Sequence, residues 1–322
     1  MIRYLARRLL FAFLLVVVVS SAAIFLTRLA PGDLTADLAL KASQEEIASV
    51  RARFDLDRGV AMQWVLWMSR AARFDFGDSY LYNRPVSSLV ASSALNTAAL
   101  AVVALLFATV IGIPLGIFTG SQRGHAMSAL VRAMSILCLS VPPLLTSLVF
   151  VWIAARTGWL PVGGMSSVEA GGMGWGPWLA DLAWHLPLPA LALALPIAAT
   201  LERLQSQSMD ETVGQPFVMA ARARGLSGEE LVIRHAWPVS VRPVCALYGV
   251  VIGALLSGSF VVEYVTSWPG LGRLMFDALR ARDIYLVAGC AAAGALFLAV
   301  GSLLSDLLLA LADPRIRDAE HA

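Results

Sequence analysis

The chain has 322 residues and a net charge of +2, and it is 58% hydrophobic but only 14% charged. Its mean hydropathy is +0.74, and soluble globular domains carry about a quarter of their residues as charges, so an ordinary water-soluble enzyme is excluded. The single lysine, Lys41, and the nearly neutral balance give no sign of a nucleic-acid partner.

The charges avoid long windows. Residues 9–27 run 19 residues without one, and residues 243–262 and 284–305 run 20 and 22. Residues 98–117 lie inside a charge-free stretch from 85 to 122, residues 134–155 form another, and 186–201 a shorter one. About 20 helical residues cross a hydrocarbon core of roughly 30 Å. Six membrane helices and an all-α fold are therefore expected.

The first window follows Arg3, Arg7 and Arg8, as a secretory signal does. It runs on through Ile24, Phe25 and Leu26, past the small Ser21 and Ala23. Its 13 Leu, Ile, Val and Phe residues favour insertion by roughly 4–8 kcal/mol, so residues 1–29 read as a permanent anchor. Residues 30–93 read as an external cap. In it Ser43 and Glu46 have the spacing of a capping box, and Met62, Trp64, Val65, Trp67 and Met68 form an apolar surface expected to pack on the first span or anchor at the interface. Residues 94–312 then hold the other five spans.

In the third span Pro142 and Pro143 are expected to make a kink and free nearby carbonyls. Ser140, Thr146 and Ser147 beside them, with Ser257 and Ser259 in the fifth span, are candidate pathway residues, although such hydroxyls also bond their own helix. Residues 165–178 are rich in Gly and Trp and read as a loop at headgroup level. The fourth window holds Pro187, Pro189 and Pro196, and residues 180–184 are expected to complete it. Asp306, the acid well inside the sixth span, is expected to reach water near its end.

Between the fourth and fifth spans lies a loop, residues 203–242, far longer than a plain connection needs. Pro216 suits the first turn of a helix. Phe217, Ala220 and Ala221 are expected on one face, with Arg222 and Arg224 in the last turn. Gly225 fits a left-handed stop. Ser227 and Glu230 form a second capping box that starts another short helix, and Pro238 is expected to stop it. Helix, glycine turn, helix is a docking element or an amphipathic hairpin lying on lipid.

With the N-terminus inside, segments 1–8, 120–133, 202–242 and 312–322 hold 3, 2, 5 and 2 basic residues, against 1 and 3 in the two short outside loops. This bias places both termini in the cytoplasm, since the eight further basic residues of 28–93 sit in a segment long enough to be exempt. Cys138, Cys245 and Cys290 fall within spans and show neither pairing nor metal spacing. No phosphate-binding glycine loop, zinc motif or nucleophile elbow is present. Ser257 and Ser259 have no histidine at matched depth, which rejects an intramembrane hydrolase. Paired ionisable groups at mid-membrane, the mark of a self-sufficient secondary transporter, are also missing.

The stretch Met219-Ala220-Ala221, Gly225 and Pro238 resembles the signature loop of binding-protein-dependent ABC importer permeases, with Met219 where that loop has Glu and His235 and Trp237 where it has aliphatics. The run from Phe217 to Leu226 (FVMAARARGL) is similar to the dipeptide/oligopeptide branch of that family. So are RYLARRLL at 3–10, LAPGD at 29–33, SWPGLGRL at 267–274 and DPRIR at 313–317, so the likeness spans nearly the whole chain. The resemblance implies the type I importer permease fold and an inner-membrane subunit that is not itself an enzyme. It also implies a second permease, two cytoplasmic ATPases that bind ATP and Mg, and an external solute-binding protein. The cargo it implies is a peptide, or in related carriers a nickel complex, glutathione or an opine. Phe217, Met219, Ala220, Ala221, Arg222, Arg224, Gly225, Ser227, Glu230 and Pro238 become the ATPase-coupling residues.

Overall fold

The computed structural model describes residues 2–29, 43, 45, 48, 51–52, 57–167, 172 and 174–312. Glu46 of the expected cap, residues 30–33 and the 313–322 tail with its motif lie outside them. Among the described residues every regular element is a helix, with one isolated bridge between Asp78 and Pro85. In chain order these are α1 (Ile2–Leu29), α2 (Val60–Ala71), α3 (Val86–Ser121), α4 (Ala126–Ser140), α5 (Pro143–Thr157), α6 (Trp175–His185) and α7 (Pro187–Val213). There follow α8 (Pro216–Ala223), α9 (Gly228–Leu231), a π-turn (Val232–Ala236), α10 (Trp237–Ser240), α11 (Arg242–Val265), α12 (Leu271–Arg280) and α13 (Ile284–Ala312).

By length and apolarity α1, α3, α7 and α13 can each cross a membrane. Two bent pairs raise the number to as many as six: α4 with α5, turned by 105°, and residues 228–240 with the start of α11, turned by 51°, of which α11 holds the charge-free window 243–262. The third expected span is thus broken outright. Val141 and Pro142 are both extended (ψ 120° and 146°), because a residue ahead of proline is pushed out of the helical region and here two prolines follow in turn. The fourth span is also completed differently from expectation. Pro187 starts α7 at a position where a missing N–H is harmless, leaving residues 180–184 in a separate α6, and α7 gains its length at its far end, to Val213.

The chain divides into two compact units. One comprises the chain up to Thr97 together with Pro269–Ala299. Its core gathers Ile24, Trp67, Val86, Leu89, Leu274 and Leu286. The expected packing of the cap on the first span is present: Trp64 Nε1 donates to Ser21 Oγ at 2.7 Å, and Trp67 is buried. Asp283 is buried and caps α13, accepting from Leu286 N at 3.1 Å. Its second oxygen accepts from Ser79 Oγ at 2.6 Å and Leu81 N at 3.1 Å, fixing the turn that leads into α3. Losing this carboxylate removes a cap worth about 1 kcal/mol and strands donors at about 1–3 kcal/mol each. Asp283→Ala is therefore expected to lower the detergent-solubilised melting temperature by several degrees, with Asp283→Asn between it and the parent.

The second unit comprises Ala98–Trp268 and the chain from Val300 onward. Small residues at every fourth position of α3 (Ala104, Ala108, Gly112, Gly116, Gly120) form its contact stripe. A Cβ on Gly112 would lie 2.5 Å from Ala198 O, and one on Gly116 would lie 2.6 Å from Gln205 Cβ and 2.7 Å from Glu202 O. Backbones approach this closely only where side chains are missing, the usual basis of helix association in lipid. Gly301 of α13 faces Ile252 of α11 in the same way, at 2.7 Å. Outside the spans, Ser167 ties down α6 through Oγ and N to the Asp181 carboxylate at 2.6 and 2.7 Å. These bonds hold the Asp181 carboxyl below the usual carboxylate range, the hydroxyl contributing most.

Candidate functional site

The loop between α7 and α11 folds as a helical hairpin on its own small core. Val218 and Ala221 of α8, one turn apart, are buried with Met209, Leu231 and Ala236. Pro216 opens α8, where its absent N–H costs nothing. Neighbouring helix positions are 100° apart, so Ala220 and Ala221 do not share a face as expected. Ala221 turns inward, whereas Phe217 and Ala220 turn outward together with Met219, Arg222 and Arg224. Phe217 is 40% exposed and Met219 60%. Exposed apolar side chains beside two arginines, held outward on a buried core, have the form of a docking site.

Gly225 ends this helix with φ +88°, the left-handed conformation expected of it, and Gly225 N donates to Arg222 O at 3.0 Å. The next helix starts at Ser227, whose Oγ accepts from Glu230 N at 3.3 Å. The other half of the expected box is replaced: the Glu230 carboxylate turns along the helix to accept from Arg234 Nη1 at 2.7 Å. Pro238 does not stop the helix. A proline ring clashes with the carbonyl four residues back, and the wider π-turn at Val232–Ala236 makes room, so helix continues through Trp237–Ser240. The chain bends only beyond, between Ser240 and Arg242.

Beneath the hairpin lies a buried polar layer that no sequence motif of polar residues announces. Thr119 Oγ1 donates to Glu202 Oε1 at 2.6 Å, and Arg132 Nη1 donates to Thr119 O at 3.3 Å. Gln205 Nε2 donates to Ser240 Oγ at 2.9 Å, joining α7 to the end of the hairpin. Glu202, Gln205 and Ser240 are buried, and Arg123 pairs with Asp210 at 2.8 Å nearer the surface. The Gln205–Ser240 bond thus fastens the hairpin to α7 in addition to its core, while Thr119–Glu202 joins α3 to α7 beneath it. The signal that would have located this layer is the Gly-x-x-x-Gly-x-x-x-Gly run at 112–120, which marks where α3 meets another helix.

The candidate pathway residues are dispersed. Ser140, Thr146 and Ser147 flank the α4–α5 break, but each hydroxyl bonds its own helix: to Ile136 O at 2.8 Å, Pro142 O at 3.4 Å and Leu144 O at 2.9 Å. Pro142 and Pro143 are exposed, Ser147 and Ser259 are buried, and the Ser257 side chain lies outside the described residues.

The family described as "Binding-protein-dependent transport system inner membrane component" matches residues 112–318, which include the whole hairpin. The N-terminal membrane component of the same transport system matches residues 1–101. The chain belongs to this family. It is an inner-membrane permease component and not itself catalytic. A protein of Brucella suis biovar 1 (strain 1330) is 32% identical over 324 residues, covering 98% of this chain and 99% of its own length. The oligopeptide transport system permease protein AppB of Bacillus subtilis (strain 168) is 28% identical over 319 residues, with 98% and 99% covered. The oligopeptide transport system permease protein OppB of Mycobacterium bovis is 29% identical over 324 residues, with the same coverage.

Proposed function

We propose that this permease carries peptides across the inner membrane as one of two homologous permease subunits, powered by two cytoplasmic ATPases. An external solute-binding protein delivers the cargo, and ATP and Mg are held on the ATPases, not on this chain. The observation that carries this reading is the hairpin itself: Val218 and Ala221 anchor it, and Phe217, Met219, Ala220, Arg222 and Arg224 are presented outward. Met219 offers no carboxylate at the signature position, so the ATPase is gripped by apolar fit, with the two arginines supplying the charge. The oligopeptide permeases among its full-length relatives support the peptide cargo.

In this reading both termini and the hairpin are cytoplasmic, and residues 158–186 are external. Cysteine labelling in intact cells, on a background lacking Cys138, Cys245 and Cys290, tests the arrangement. An impermeant reagent is expected to label Gly172→Cys from outside and to reach Gly228→Cys only after the membrane is opened. Labelling of position 228 in intact cells would overturn it.

A further inference from the structure

We infer that α2, which belongs to none of the six spans, lies within the bilayer, parallel to its surface, with Met62 and Val65 against phospholipid acyl chains. This rests on the membrane placement of α1 and not on the proposed cargo.

Depth carries the argument. The charge-free part of α1 ends at Thr27, and Trp64 Nε1 is bonded to Ser21 Oγ, six residues inside that end. Six helical residues are about 9 Å, which matches the roughly 5–10 Å at which interfacial helices embed. The chain just before α2 sits at headgroup level, since Arg28, just past that end, donates from Nη2 to Arg58 O at 3.4 Å.

Composition agrees with depth. Residues 59–69 contain no charge, and Arg58 and Arg70 bracket them. Eleven residues make about 17 Å of helix, too short to cross a core of roughly 30 Å. One face, with Gln63 and Trp67 buried and Trp64 and Met68 packed beside them, is taken up by the protein. The opposite face carries Met62, 53% exposed, and Val65, 51% exposed. A helix apolar on both faces belongs to a membrane or a core, and among the described residues this one has protein on one side only. Arginines at its ends suit phosphate headgroups, with their stems lying along the apolar layer.

The test uses the assembled importer in phosphatidylethanolamine–phosphatidylglycerol vesicles, on the cysteine-free background. Met62→Cys and Val65→Cys are spin-labelled, with Val18→Cys on the exposed side of α1 and Arg73→Cys as references. Positions 62 and 65 are expected to collide more often with oxygen than with a water-soluble nickel chelate, at a depth of about 5–10 Å. Val18 is expected to be deeper, and Arg73 to favour the chelate. Preference for the chelate at 62 and 65 would overturn the inference, and so would shielding from both probes, which would mean protein covers this face. If Val18 itself favours the chelate, the placement of α1 fails and takes this inference with it.

Discussion

Gly225→Val is expected to cut substrate-stimulated ATP hydrolysis and uptake by the assembled importer more than tenfold, with a normal amount of the chain in the membrane. The reason is backbone conformation and not space. Gly225 has φ +88°, and a Cβ built there meets nothing within 4 Å. A β-branched residue in that region carries strain of about 1–3 kcal/mol, which is relieved by moving the corner. Val218 and Ala221 are anchored before the corner and Leu231 and Ala236 after it. A shifted corner therefore re-aims α8, while the spans, which do not depend on it, still insert. Ala220→Glu is expected to reach the same outcome by another route. Ala220 is exposed, so a glutamate fits the isolated chain, but it puts charge at the surface proposed to meet the ATPase. Ala221→Glu is the contrast: at a fully buried position it is expected to lower the abundance of the chain itself. Measuring uptake, ATPase activity and membrane abundance side by side separates the three variants.

Gly116→Leu is expected to be strongly damaging within the spans. A single methyl at this site already lies 2.6 Å from Gln205 Cβ and 2.7 Å from Glu202 O. Part of that contact is backbone, which no rotamer change can relieve. Overpacking of this kind costs about 1–3 kcal/mol or more. Here it also pries α3 from the helix that holds Glu202 and Gln205, breaking the Thr119–Glu202 bond. Abundance and thermal stability in detergent should both fall sharply, and Gly116→Ala should fall part of the way. Gly124→Ala, where a Cβ meets nothing within 4 Å, is expected to match the parent. If Gly116→Leu melts at the parental temperature, the tight α3–α7 contact is not present in the membrane.

Much of this architecture was legible in the residues. Charge-free windows marked the helices because a charge in hydrocarbon is costly wherever it falls. Gly225 and Ser227 marked the hairpin corner because left-handed backbone and helix starts each admit few residue types. Other features depended on neighbours the sequence does not display. Phe217, Ala220 and Ala221 read as one face because all are apolar or small, yet the core beneath α8 selected Val218 and Ala221. Pro238 read as a stop because proline usually is one, and the π-turn ahead of it was invisible to an argument from single-residue preference. The two prolines at 142 and 143 were read as a kink, although two successive extended residues turn the chain by 105°. The polar layer at Glu202 and Gln205 was missed because hydropathy treats glycine as neutral, whereas glycines at every fourth position indicate contact.

The central claim is that the hairpin between α7 and α11 couples ATP hydrolysis in partner subunits to passage through this chain. The most direct measurement is uptake of a labelled peptide into vesicles containing the two permeases and two ATPases of the proposed importer, with ATP supplied on the ATPase side and binding protein on the other. The account predicts accumulation that requires ATP and the ATPases, and that disappears in Gly225→Val and Ala220→Glu complexes of normal composition. Accumulation without the ATPases, or at the parental rate in both variants, would contradict it.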